Sequence, residues 1–157
     1  MSRPQPGSDI PRKGFALIEL LVVLILVGIV ASISIRSVGD TMQRDRVVKT
    51  AAILSSDLEQ AFATAGRLRV PVRILIDSSK RTFSVANRSD TTLKYRSRQF
   101  VTGDMAIGFI SSSRATLDVM PSGLSADTLR LRIGIFSKGT TYSRTIRMTR
   151  GGLVRVQ

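Results

Sequence analysis

The chain has 157 residues, 43% hydrophobic, 22% charged and 5% aromatic, which suits one small globular domain plus an appendage and excludes a large multidomain enzyme. Histidine and cysteine are both absent, so His-based triads, thiol nucleophiles, soft metal ligands and disulfides are excluded together. A net charge of +13 points to anionic partners such as nucleic acid, lipopolysaccharide or anionic lipid.

Residues 1–14 are polar, and Arg12 and Lys13 stand directly before an abrupt apolar start at Phe15. From Phe15 to Ile35 the chain reads FALIELLVVLILVGIVASISI, with Glu19 as its one charge. At about 1.5 Å per residue, a helix of that length spans a hydrocarbon core of about 30 Å. The positive-inside tendency then puts Met1 in the cytoplasm and the chain after Arg36 across the membrane, a bias that Arg36, Arg44 and Arg46 weaken. A secretory signal peptide cut near Ala31–Ser34 is the competing reading, although its apolar core would be shorter, about 7 to 15 residues. Glu19 is the costly residue: a carboxylate near the start of a spanning helix calls for a partner cation, or else a place in the headgroup region beside the helix N-terminus.

Beyond Ile35, Val38, Met42, Val47, Ala51, Leu54, Leu58, Phe62 and Ala65 recur at mostly three- and four-residue steps, the pattern of an amphipathic helix. Arg44, Arg46, Lys49, Asp57 and Glu59 are then expected to face solvent, with Gly66 as the stop. One helix is expected from about residue 16 to 65, with Gly28 and Gly39 as weak points within it.

From Val70 the period changes to two, in Val70, Val72, Ile74 and Ile76, and strands begin. A turn at Asp77–Lys80 leads to a second strand through Phe83 and Val85, predicting a hairpin. Further short strands are expected over 93–96, 99–101, 105–110, 115–120, 128–137, 142–149 and 153–156. The turns between them are Gly103-Asp104, the serines 111–113, Pro121-Ser122-Gly123, Lys138-Gly139 and Gly151-Gly152. One long helix followed by turn-connected strands predicts the α+β class, with antiparallel sheets packed on the helix.

The stretch Lys13-Gly14-Phe15-Ala16-Leu17-Ile18-Glu19-Leu20-Leu21-Val22-Val23 resembles the cleavage and assembly motif of type IV pilins and type II secretion pseudopilins. The resemblance implies that a membrane prepilin peptidase cuts after Gly14 and methylates the new amino terminus at Phe15. It also implies that the Glu19 carboxylate registers a neighbouring subunit's N-terminus during filament assembly, offsetting the cost of burying either charge alone. The implied parts are a leader over 1–14, a transmembrane segment over 15–35 and a periplasmic head over 36–157, helical over 36–66 and β-rich over 67–157. Leu117-Asp118-Val119-Met120-Pro121-Ser122-Gly123-Leu124-Ser125 and the terminal Arg150-Gly151-Gly152-Leu153-Val154-Arg155-Val156 resemble the GspH/FimT group of minor pseudopilins. Typical members carry a more aromatic strand before the Pro-x-Gly turn, where this chain has Leu117 and Val119.

That resemblance implies a non-enzymatic, cofactor-free minor pseudopilin of a type II secretion system in the inner membrane. Its partners would be the peptidase, other pseudopilins or pilins in a hetero-oligomeric filament, the inner-membrane assembly platform and membrane lipid. A minor type IV pilin of the FimT/FimU kind, in pilus assembly or DNA uptake, is the alternative. An anchored enzyme acting on an anionic polymer would need an acid–base site, and none stands out. Aspartates 77, 90, 104, 118 and 127 sit at or near expected turns, where Asx hydrogen bonding accounts for them without a metal.

Basic clusters occur at Arg67, Arg69 and Arg73, at Lys94, Arg96 and Arg98, and at Arg144, Arg147, Arg150 and Arg155, and strand alternation can put several of one cluster on one face. Such a stripe could hold phosphates, with the last cluster as the candidate nucleic-acid site; an ordinary solvated face accounts for it as well. Arginine outnumbers lysine 19 to 5, and guanidinium is the better bidentate phosphate group. With few aromatics between the clusters, any nucleic-acid contact is expected to be to the backbone and independent of sequence.

Overall fold

A computed structural model describes residues 17–157, with only the helical backbone described over 33–38. The leader, Gly14 and Phe15 lie outside the described residues. One helix, α1 (Leu17–Leu68), precedes eight strands: β1 (Val72–Asp77), β2 (Thr82–Asn87), β3 (Lys94–Gln99), β4 (Phe109–Ser112), β5 (Thr116–Val119), β6 (Leu129–Ser137), β7 (Thr140–Met148) and β8 (Val154–Val156). The chain divides into two units between Val38 and Gly39.

In the first unit the described apolar side chains, from Leu17 to Val30, are exposed all round the helix. Among the described residues no helix is long and apolar enough to cross a membrane.

In the second unit the helix buries Val47, Ala51, Leu54, Leu58, Ala61 and Ala65, a stripe with the alternating four- and three-residue steps that keep one face turned inward. Two sequence expectations fail on this face. Met42 is exposed, so the buried stripe starts at Val47, and Asp57 is buried rather than solvent-facing. The helix also runs past Gly66. It stops where Pro71 disfavours a helical Val70, and Arg69 takes the left-handed turn at φ 54°.

The strands form two antiparallel four-stranded sheets, ordered β3-β2-β1-β5 and β4-β6-β7-β8. Helix on antiparallel sheets is the expected α+β arrangement, and the first hairpin pairs Val72–Asp77 with Asn87–Thr82. Val72, Ile74, Phe83, Val85, Leu117 and Val119 from the first sheet share one core with Ile110, Leu131, Ile133, Ile146 and Met148 from the second and with the helix stripe. The sheets are linked where the Ser125 amide donates to the Arg150 carbonyl at 2.8 Å and its hydroxyl to the Asp127 carbonyl at 2.6 Å. The Pro121-Ser122-Gly123 turn that leads there closes with the Gly123 amide on the Met120 carbonyl, Gly123 at φ 78°.

Two strands depart from their expected places. Residues 94–99 form one continuous strand instead of two fragments, because its half-buried positions are Arg96 and Arg98, which an apolar alternation does not register. The strand expected over 105–110 lies at Phe109–Ser112, since residues around Gly103 turn first and Ser111 and Ser112 pair with Arg132 and Leu131.

Two carboxylates, the buried Asp57 and the half-buried Asp118, fasten the first sheet. Asp57 accepts from Arg98 Nε at 2.7 Å and Nη2 at 3.2 Å and has Arg96 Nε at 3.4 Å, which ties the helix to the edge strand β3. Asp118, expected at a turn, lies in β5 and accepts from Arg73 Nε at 2.7 Å and Nη2 at 2.9 Å, with Arg88 Nε at 3.0 Å. The hydrogen bond from Arg73 holds the Asp118 carboxyl below the ordinary 3.8, against a smaller opposing effect of burial. A carboxyl lowered in the folded state contributes stability that is complete above the unfolded value and fades as pH falls towards the folded one. The stability gap between the native chain and Asp118→Asn, from thermal unfolding, is therefore expected to be constant above about pH 5 and to close as the pH drops below 3.8.

Candidate functional site

Glu19 lies in the first described turn of α1 and is exposed.

The basic clusters resolve differently from their expected stripes. Arg73, Arg96 and Arg98 are spent on Asp118 and Asp57. In the last cluster, Arg144 stands opposite the buried Ile133 and two residues from the buried Ile146, so it belongs to the helix-facing row of β7. Arg147 and Arg155 lie on the opposite face, and Arg150 sits in the β7–β8 turn with Asp127 at 3.9 Å. Asp127 is also paired with Arg114, and its carboxyl is held low chiefly by the Thr128 amide.

What the structure does bring together is a row that the sequence clusters did not contain. Arg130 of β6 is directly opposite Arg147, and Arg147 is directly opposite Arg155, so three exposed guanidinium side chains cross three adjacent strands. Arg132 follows two residues along the same face. Like charges facing each other across strands are destabilising, and no ion pair relieves Arg130, Arg132, Arg147 or Arg155 among the described residues. The missing signal was long-range register: Arg130 and Arg132 are far in sequence from the residues that they join.

Two rings border the row. The Phe109 ring lies over Gly134, where a Cβ would come within 2.6 Å of it, and its centroid is 5.0 Å from that of Phe136. Arg132 Cζ stands 5.9 Å from the Phe109 centroid, and Phe136 is 70% exposed, so aromatics adjoin this end of the row. Asp77 and Asp90 make turn hydrogen bonds, to the Lys80 amide and to the Thr92 amide and hydroxyl. Among the described residues no group of three acidic side chains could hold a metal ion.

Residues 11–35 match the prokaryotic N-terminal methylation motif. No curated protein matches the chain. The fold is similar to that of the type IV minor pilin FimU of Pseudomonas aeruginosa (strain PAO1) in two crystal forms. In space group P21 the TM-score is 0.58 at 14% identity, covering 74% of this chain and 92% of FimU. In space group P65 it is 0.53 at 14% identity, covering 69% and 90%. The chain thus joins a prepilin-type N-terminal methylation motif to a pilin-like fold.

Proposed function

We propose that the chain is a non-enzymatic minor subunit of a pilin-like filament, anchored by its apolar N-terminal run. The observation that carries this reading is the methylation motif over residues 11–35 on the same chain as a pilin-like head. A prepilin peptidase would cut after Gly14 and methylate Phe15. The chain would lie in the inner membrane as a single pass, with its N-terminus cytoplasmic and its C-terminal part periplasmic. Glu19 would then meet the new ammonium of a neighbouring pilin, each charge lowering the cost of the other in an apolar surround.

The finer assignment is a GspH-like pseudopilin that joins other pseudopilins on an inner-membrane assembly platform and aids protein export by a type II secretion system. The stretches 117–125 and 150–156 support it. The likeness to FimU supports a minor type IV pilin equally. Glu19→Val is expected to leave cleavage largely intact and to reduce the subunit's share of sheared filaments, read by immunoblot. Normal incorporation of the variant would contradict the registration role.

A second reading rests on the arginine row: the outer face of β6, β7 and β8 would bind duplex DNA through phosphates. The site is then Arg130, Arg132, Arg147 and Arg155, with Arg150 at its edge and Arg144 outside it. Each arginine replaced by glutamine is expected to weaken binding alike for all sequences and to reduce the salt slope by about 1, measured by fluorescence anisotropy on the full chain in detergent. Binding that is absent at low salt would remove this reading.

A further inference from the structure

Arg144 poses a separate question, because the row it belongs to leads into the core: Ile146 and Met148 continue it, and both are buried. A charge placed there and half-buried is costly unless it is paired. Yet Arg144 forms no ion pair among the described residues, and neither does Arg44 on the helix opposite, although Asp40 and Asp45 share that helix. The two arginines line one pocket of about 190 Å³, together with Val47, Thr141, Tyr142 and Ser143. Two guanidinium groups from different elements, with Tyr142 on the same face as Arg144 and a buried valine behind them, are a donor set for a tetrahedral oxyanion.

The source of that anion follows from the chain itself. Arg44 is nine residues beyond Ile35, the last residue of the apolar run. Covalent geometry limits nine residues to about 30 Å, and to less wherever they are helical, so a membrane-held run tethers Arg44 near a bilayer surface. We propose that Arg44 and Arg144 form a phosphoryl-binding pocket that takes the headgroup phosphate of an anionic phospholipid. The site is distinct from the outer-face row, and it rests on the anchored reading of the N-terminal run. An anionic headgroup suits it better than a zwitterionic one, since choline would bring a third cation to two arginines without an acid.

The test places the full chain in nanodiscs of phosphatidylcholine, alone or with phosphatidylglycerol, and counts the lipids retained on release by native mass spectrometry. Preferential retention of phosphatidylglycerol is expected. Arg44→Gln with Arg144→Gln should weaken it about thirtyfold, at the roughly fivefold that each arginine near an anionic headgroup is worth. The lysine pair should keep most of it, and Arg147→Gln with Arg155→Gln should leave it unchanged. If circular dichroism shows the glutamine pair misfolded, Arg44→Gln alone serves, since Arg44 is exposed. Retention unaffected by these changes overturns the proposal. Complete displacement by millimolar inorganic phosphate assigns the pocket to the free ion and overturns the lipid source. A chain that enters the nanodiscs but retains no phosphatidylglycerol overturns the pocket alone, whereas one that never enters phosphatidylcholine nanodiscs overturns the anchored reading and the pocket with it.

Discussion

One stripe of one helix organises the second unit. Val47, Ala51, Leu54, Leu58, Ala61 and Ala65 are all essentially inaccessible, and residues of both sheets close on them in a single core. Each four-stranded sheet has an apolar face that must be covered, and both meet the helix stripe in that core. The same helix begins within the methylation motif. Core packing and the methylation motif therefore share one secondary-structure element.

Charge is distributed by the same constraint. Of the carboxylates, buried Asp57 and half-buried Asp118, the latter on the face of β5 away from the core, are paired with arginines that brace the first sheet. The remaining arginines of the second sheet have few acids to meet. Register then sets them in opposition, Arg130 to Arg147 to Arg155, a placement that costs stability and finds its compensation only in solvent or an anion. Arg144, one strand position out of phase, is directed to the other side of the same sheet, where Arg44 lines the same pocket.

Much of this was legible in the sequence wherever the physics is local. The three- and four-residue spacing of the helix stripe, the Asp77–Lys80 hairpin turn and the Pro121-Ser122-Gly123 turn all follow from side-chain periodicity and turn chemistry. What the sequence hid is non-local. Arginines at the inward positions of β3 look like surface until Asp57 is seen across from them. Arg130 and Arg132 looked unrelated to the C-terminal cluster until strand pairing brought them together. The end of the helix at Leu68 was readable from Pro71, a stronger punctuation there than Gly66. Gly14, Phe15 and Glu19 stand out in the sequence only through resemblance to a motif.

The central claim is that the apolar run is the retained N-terminus of a processed pilin-like subunit. The most direct measurement is mass spectrometry of the N-terminal peptide of the membrane-bound protein from its native cell. A processed subunit starts at Phe15 and carries one methyl group on its amino nitrogen. An intact Met1, or a cut near residue 34, would contradict it.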